Sequence, residues 1–282
     1  MTQTASTTSS IAHTRDVQHL SPWRLAIEDV FQSLLHWRIW GLLAWQDIRM
    51  RYRRSQLGPF WITLSMAITI LSMGFLYVRL FQMDLRSYLP YLTTGILVWN
   101  LILSLVMEGT HAFIEGEQYI KQIKLPLCTH VLRIVLRCLL VFAHNALIMI
   151  PLFLWLRIPC TGALLMIPLS LFFIGINAFC YGLILASLGA RYRDILPIVT
   201  NMMQIIFFIT PIMWKAEFLS GRYLLWIQLN PFAHFIHILR YPLMSEMPST
   251  FSLLFVGLFT IVGIGLAFLC LKKIRHRIVY WV

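Results

Sequence analysis

The sequence predicts an all-α integral membrane protein: six transmembrane helices, an N-terminal interfacial amphipathic helix, and re-entrant helices before the last span. Three observations carry that prediction. Of the 282 residues, 59% are hydrophobic and only 12% charged, against about 45–50% and about 25% in a soluble domain. The mean hydropathy is +0.75, and the apolar residues fall in blocks long enough to cross a bilayer. The 23 basic residues outnumber the 11 acidic ones, for a net charge of +12. Most of the basic residues flank apolar runs, where they orient a membrane protein; that placement does not favour a nucleic-acid binder. The same arithmetic excludes a soluble enzyme and a disordered chain.

Residues 1–33 read as a polar cytoplasmic tail, Thr- and Ser-rich from Met1 to Ser10. No apolar core stands within signal-peptide distance, so no cleaved leader is expected. Residues 34–54 carry Trp37, Trp40 and Trp45 in an apolar stretch that ends in Arg49, Arg51, Arg53 and Arg54. Indoles prefer the headgroup region and arginines meet lipid phosphates there, so this segment reads as an interfacial helix. It is either a plain anchor or a helix that also contacts a partner or substrate.

The spans follow in order: Gly58 to Leu80, Tyr88 to Met107, Val131 to Leu156, Ala163 to Ala190, Pro197 to about Trp214, and Phe251 to Leu271. Between the second and third lies a polar loop, residues 111–127. Residues 215–250 are apolar but broken by Gly221, Pro231, Pro242 and Pro248. Their pieces are too short for about 30 Å of hydrocarbon and read as an extracellular re-entrant segment sheltered by protein. Six spans put both termini on one side. That side collects Arg49 to Arg54, Lys121, Lys124, Arg191, Arg193 and Lys272 to Arg277, which makes it cytoplasmic. In the fourth span Ala178, Gly182, Ala186 and Ala190 stand four residues apart, a stripe for close helix approach within the chain or between subunits.

Catalytic chemistry is not written in the chain. There is no GxxxxGK[ST] phosphate loop, no HExxH and no GxSxG. The five cysteines lack ligand spacing and read as small hydrophobes. His234 and His237 stand at i, i+3 without a third ligand, so packing or hydrogen bonding is the expected role and no metal site is assigned. Arg133 and Arg137 share one helical face near the cytoplasmic end of the third span and are placed to pair with Glu108. No series of buried carboxylates forms a proton relay through the spans.

Several strings in register resemble the permease subunits of type-two ABC exporters, in the branch that exports O-antigen, capsule and related polysaccharides. The string Asp47-Ile-Arg-Met-Arg-Tyr-Arg-Arg-Ser-Gln-Leu-Gly-Pro-Phe-Trp61 is similar to that family's opening motif. Leu89-Pro-Tyr-Leu92 with Gly95 and Trp99 resembles the start of its second span, and Glu115 to Pro126 its first cytoplasmic loop. Arg191-Tyr-Arg-Asp-Ile195, Thr210-Pro-Ile-Met-Trp214, and Asn230-Pro-Phe232 with Arg240 resemble its later landmarks. The resemblance covers about residues 35 to 282 and makes residues 34–282 one permease domain.

The resemblance implies a bacterial inner-membrane half-transporter without its own ATPase. Two copies, as a homodimer, would pair with two ATP-binding cassette subunits that hold ATP and Mg, while this chain binds no cofactor. The substrate would be a lipid-linked polysaccharide. Glu115, Glu117, Gln118, Tyr119, Lys121 and Lys124 would belong to a coupling helix docking on the ATPase. Acidic residues at its start and basic ones further on complement the helix dipole. Arg49, Arg51, Arg53 and Arg54 would receive the substrate's pyrophosphate, bidentate contacts that suit arginine; the rival reading is orientation alone. Tyr91, Trp99 and Asn100 are the candidate glycan-pathway residues, against lipid-facing aromatics. An exporter of drugs or small lipids with the same fold is the nearest alternative. An ATP-independent channel or secondary transporter is a more distant one.

Overall fold

The computed structural model describes residues 21–53, 58, 60–123, 125–215, 222–275 and 277–282, and all regular structure among them is helical. The first helix, α1 (Pro22–Leu35), starts well before the expected end of the polar tail at residue 33. Ser21 caps it by accepting from the Arg24 amide, with Pro22 in the first turn. Leu25, Ala26, Asp29 and Ser33 form its buried face. Asp29 accepts from the backbone amides of Leu127 and Cys128 at 3.2 and 3.0 Å, capping a helix about a hundred residues downstream. Next comes α2 (Trp37–Arg51), which buries only Ala44 against the rest of the chain and leaves Trp37, Leu42 and Trp45 exposed.

Then come α3 (Phe60–Phe81), α4 (Leu85–Thr110), the short α5 (Ala112–Glu115) and α6 (Glu117–Gln122), and α7 (Leu127–Asn145). A 3₁₀ turn joins α7 to α8 (Met149–Leu156); another precedes α9 (Met166–Arg191), and α10 (Ile195–Ile209) follows. The chain closes with α11 (Arg222–Leu229), α12 (Pro231–Leu243), α13 (Thr250–Ile274) and α14 (Ile278–Trp281). Among the described residues, five helical runs are long and apolar enough to cross a membrane: Phe60–Leu80, Leu85–Thr110, Leu127–Leu156, Gly162–Arg191 and Thr250–Ile274.

The expected fifth span is shorter than its apolar run. α10 has 15 residues, about 22 Å at roughly 1.5 Å per residue. It stops at Ile209 instead of near Trp214 because Thr210 precedes Pro211 and turns extended, at φ −86° and ψ 137°.

The core is built around α4, the most buried span, whose Tyr88, Leu92, Leu97, Val98 and Trp99 are enclosed. The small-residue stripe on α9 lies against it: a Cβ at Gly109 would sit 3.5 Å from the Gly182 Cα, and one at Gly189 would run into the Thr110 carbonyl. Close approach within one chain therefore accounts for Gly182 of the stripe and for Gly189 beside it. On its other side α9 joins α13, where Asn177 Nδ2 donates to Thr260 Oγ1 at 2.7 Å and Tyr181 to the Phe259 carbonyl at 3.0 Å. The bundle thus has two ends: a basic end, with α1, the last turn of α2, α5 and α6, and an opposite end formed by α11 and α12.

Candidate functional site

Arg133 and Arg137 are one turn apart on α7, an otherwise apolar helix. Each is nearly buried, with side chains 11% and 6% exposed, so each needs an acid. Arg133 makes a bidentate pair with Asp47 of α2, through Nε at 2.6 Å and through Nη2. Arg137 collects three carboxylates: Asp47 at 3.0 Å, Glu108 of α4 at 2.8 Å and Glu115 of α5 at 3.0 Å. Arg51 reaches the other oxygen of Glu108 at 3.4 Å. Three cations thus meet three acids, so the network is formally neutral, 3 − 3 = 0. It fastens α2, α4 and α5 to a single face of α7.

The loop after α5 is tied to the same arginines. The Arg133 guanidinium lies 5.5 Å from the Tyr119 ring, a cation–π contact. Tyr119 belongs to α6, which buries no residue completely. Glu117 and Lys121 pair across one turn at 2.6 Å with nearly half of each side chain exposed, and Gln118 is exposed beside them. A pair this open contributes about 0.3–0.5 kcal/mol. Lys121→Ala is therefore expected to leave the melting temperature within about 2 °C of the wild type; a drop of 10 °C in a detergent melt would show that α6 is structural.

The six expected coupling residues therefore divide. Glu115 and Tyr119 turn inward to the arginines, Glu117, Gln118 and Lys121 face outward, and Lys124 lies outside the described residues. Of the four α2-end arginines, Arg51 is engaged with Glu108, Arg49 and Arg53 are exposed, and Arg54 lies outside the described residues. The sequence reading missed Asp47 as the shared acid. Its signal was there: it is the one acidic residue between Asp29 and Asp84, set in a basic stretch.

At the opposite end, the chain after α10 is buried but not helical through Thr210, Pro211 and Ile212, so its carbonyls need partners from the protein. Arg240, 2% exposed, donates to the Pro211 and Ile212 carbonyls at 2.8 Å each and stacks 4.0 Å over the Tyr91 ring. Tyr88 donates to Met213 at 2.7 Å, the Tyr91 hydroxyl lies 3.0 Å from the Trp214 carbonyl, and Asn230 donates to Thr210 Oγ1 at 2.9 Å. Gly95 leaves the space that the guanidinium occupies. The motifs around Tyr91, Gly95, Thr210, Asn230 and Arg240 are distant in sequence and form one clamp.

Beside the clamp opens a cavity of ≈ 480 Å³ whose wall includes Tyr91, Lys215, Gln228, His237 and Tyr241. Of the three candidate pathway residues, only Tyr91 lines it. Trp99 is enclosed between Phe207 and Phe232 at 5.5 and 6.3 Å, and the Asn100 amide donates to Ile96 of its own helix. His234 places its two ring nitrogens at Ser252 Oγ (3.0 Å) and the Gln228 carbonyl (2.8 Å). His237 stacks on Tyr241 at 4.0 Å. Among the described residues no group of three His, Cys, Asp or Glu side chains is arranged to hold a metal.

Long apolar helices, a neutral ion network at the basic end and a clamp over a broken helix at the other define a multi-pass helical membrane protein. The chain belongs to the ABC-2 type transporter family, whose pattern matches residues 39–244. It is 24% identical over 235 residues to an O-antigen export system permease protein RfbA of Klebsiella pneumoniae, covering 82% of this chain and 90% of that one. A second Klebsiella pneumoniae protein of that name is 23% identical over 192 residues, 68% of this chain and 74% of its own. The Myxococcus xanthus protein of that name is 24% identical over 213 residues, 67% and 74%.

Proposed function

We propose that this chain is the membrane-spanning subunit of an ATP-driven exporter that moves a lipid-linked polysaccharide out across the bacterial inner membrane. Two copies form a homodimer and pair with two ATP-binding subunits, which hold ATP and Mg. The basic end faces the cytoplasm, with both termini there. α10 and the clamped segment after it complete a sixth crossing, α11 and α12 are re-entrant, and α2 lies in the headgroup region. The reading rests above all on the pair of arginines that α2 and the α5–α6 loop share.

The geometry supplies a route for force. A partner moving against the outward face of α6, at Glu117, Gln118 and Lys121, with Lys124 as a further contact in the sequence that follows, displaces α5 with it. Glu115 pulls on Arg137 and Tyr119 on Arg133, and both arginines hold Asp47, so α2 moves in step. Arg49, Arg51, Arg53 and Arg54 then meet the substrate's pyrophosphate as α2 shifts, and the glycan passes Tyr91, with Trp99 and Asn100 further along the same helix. The relatives named as O-antigen export permeases favour polysaccharide over drugs or small lipids as cargo.

Two results test this. Replacing Gln118 to Lys124 by a Gly/Ser linker is expected to preserve insertion and to abolish transport-coupled ATP hydrolysis in liposomes; wild-type export by that variant would remove α6 from the mechanism. Purification of the tagged chain from its native membrane should bring down a P-loop ATPase in equal amount. If the chain comes out alone and transports without ATP, the exporter reading fails.

A further inference from the structure

The basic end holds a second group of cations that the ion network does not use. The last turns of α9 and α13, together with α14, enclose a cavity of ≈ 270 Å³ with Arg191, Lys273 and Arg277 in its wall. α14 folds back on α9 by burying Ile278 completely, which brings Trp281 over Arg191. The Arg191 guanidinium then stands 5.0 Å from the Tyr192 ring and 5.2 Å from the Trp281 ring. Rings on its faces leave the N–H edges for a ligand.

Two features separate this cavity from the charges that merely orient a membrane protein. Among the described residues, no carboxylate lies within 4.0 Å of Arg191, Lys273 or Arg277, and no acid lines the cavity. The ion network around Arg137 is balanced, and this one is not. Apart from Ser187, the rest of the wall is mostly apolar or aromatic, with Ile184, Leu188 and Ile274 beside the cations. Three unbalanced cations above a hydrocarbon wall, at the ends of two membrane helices, match a phosphate carried on an acyl chain.

We propose that this cavity binds the phosphate of an anionic lipid from the leaflet at the basic end, its chain lying along Ile184, Leu188 and Ile274. The site is on α9 and α13, away from the arginines of α2, and the inference does not rest on the export reading. The phosphate belongs to a bulk phospholipid or to a polyprenyl phosphate, and the experiment distinguishes them.

The test is native mass spectrometry of the full-length protein, delipidated in neutral detergent and titrated separately with phosphatidylglycerol, phosphatidylcholine and undecaprenyl phosphate. The wild type is expected to bind phosphatidylglycerol well above phosphatidylcholine. Each charge removed should weaken binding about fivefold, so Arg191→Gln/Arg277→Gln should weaken it about twenty-five-fold. Arg24→Gln/Arg38→Gln removes the same charge from α1 and α2 and should change nothing. Retention of undecaprenyl phosphate alone, lost in the Arg191→Gln/Arg277→Gln variant, supports the site and makes the polyprenyl lipid its occupant. Equal binding of phosphatidylglycerol and phosphatidylcholine with no retention of undecaprenyl phosphate, or equal loss in both double variants, overturns it. Should Arg191→Gln prevent folding, Lys273→Gln alone carries the same fivefold expectation.

Discussion

Asp47→Ala is expected to destabilise the protein by about 3–5 kcal/mol, the usual effect of stranding one partner of a buried ion pair. Among the described residues, the substitution strips Arg133 of its one carboxylate partner and takes one of three from Arg137. Neither arginine reaches water freely, since their side chains are 11% and 6% exposed. The double variant Asp47→Leu/Arg133→Met removes both charges and keeps the network neutral, 2 − 2 = 0, with Arg137 still held by Glu108 and Glu115. Apolar replacement of a buried pair is close to neutral or stabilising, so the double variant should melt near the wild type in detergent. If single and double variants melt together, the Asp47–Arg133 pair carries no special weight. The pair also separates stability from function. A stable double variant that still inserts should lose coupled export, because α2 has lost its direct ionic tie to α7.

The second large effect is at Gly95. A Cβ there would lie 2.5 Å from the Ile212 carbonyl oxygen and overlap the Arg240 guanidinium. The guanidinium can swing away, but the carbonyl belongs to backbone. Moving Arg240 frees two buried carbonyls that it now satisfies at 2.8 Å each. Each orphaned group costs about 1–3 kcal/mol, and the overpacking adds about 1–3 kcal/mol. Gly95→Ala is therefore expected to lose upward of about 3 kcal/mol. Gly41→Ala is the matched control, since nothing lies within 4 Å of a Cβ there. In α2 that change should be neutral or gain up to about 1 kcal/mol of helix propensity. Equal melting temperatures for the two variants would rule out the clamp.

The spanning helices were legible because length and hydropathy are local properties, and five of them stand in the structure as apolar runs. The early stop of α10 was also written locally, in Thr210-Pro211, but the apolar run on either side hid it. α1 escaped because its buried face includes Asp29 and Ser33, polar residues that a hydropathy pattern counts as solvent-facing. The arginines on α7 were visible as an anomaly, and Glu108 as a partner for them. Asp47 was not, because its pairing with Arg133 spans 86 residues of sequence. Glu115 shows the same limit. Its place in the loop after α4 was readable, while its inward turn to Arg137 depends on how α5 packs on α7. The clamp was seen only as separate strings, since nothing in Thr210 to Trp214 announces that a residue near position 240 will satisfy its carbonyls.

The attachment of α1 has a consequence for how the chain is made. Asp29 waits for amides 98 and 99 residues downstream, and the Leu25 carbonyl accepts from Arg275, 250 residues away. At roughly 5–20 residues per second of synthesis, the first partner arrives about 5–20 s after α1 and the last about 12–50 s after it. Until those partners have been made, the Asp29 carboxylate and the Leu25 carbonyl are without them and the inner face of α1 is uncovered. It is a latch made first and closed last, and closing it requires that both the third apolar run and the final one have been delivered to the same side of the membrane.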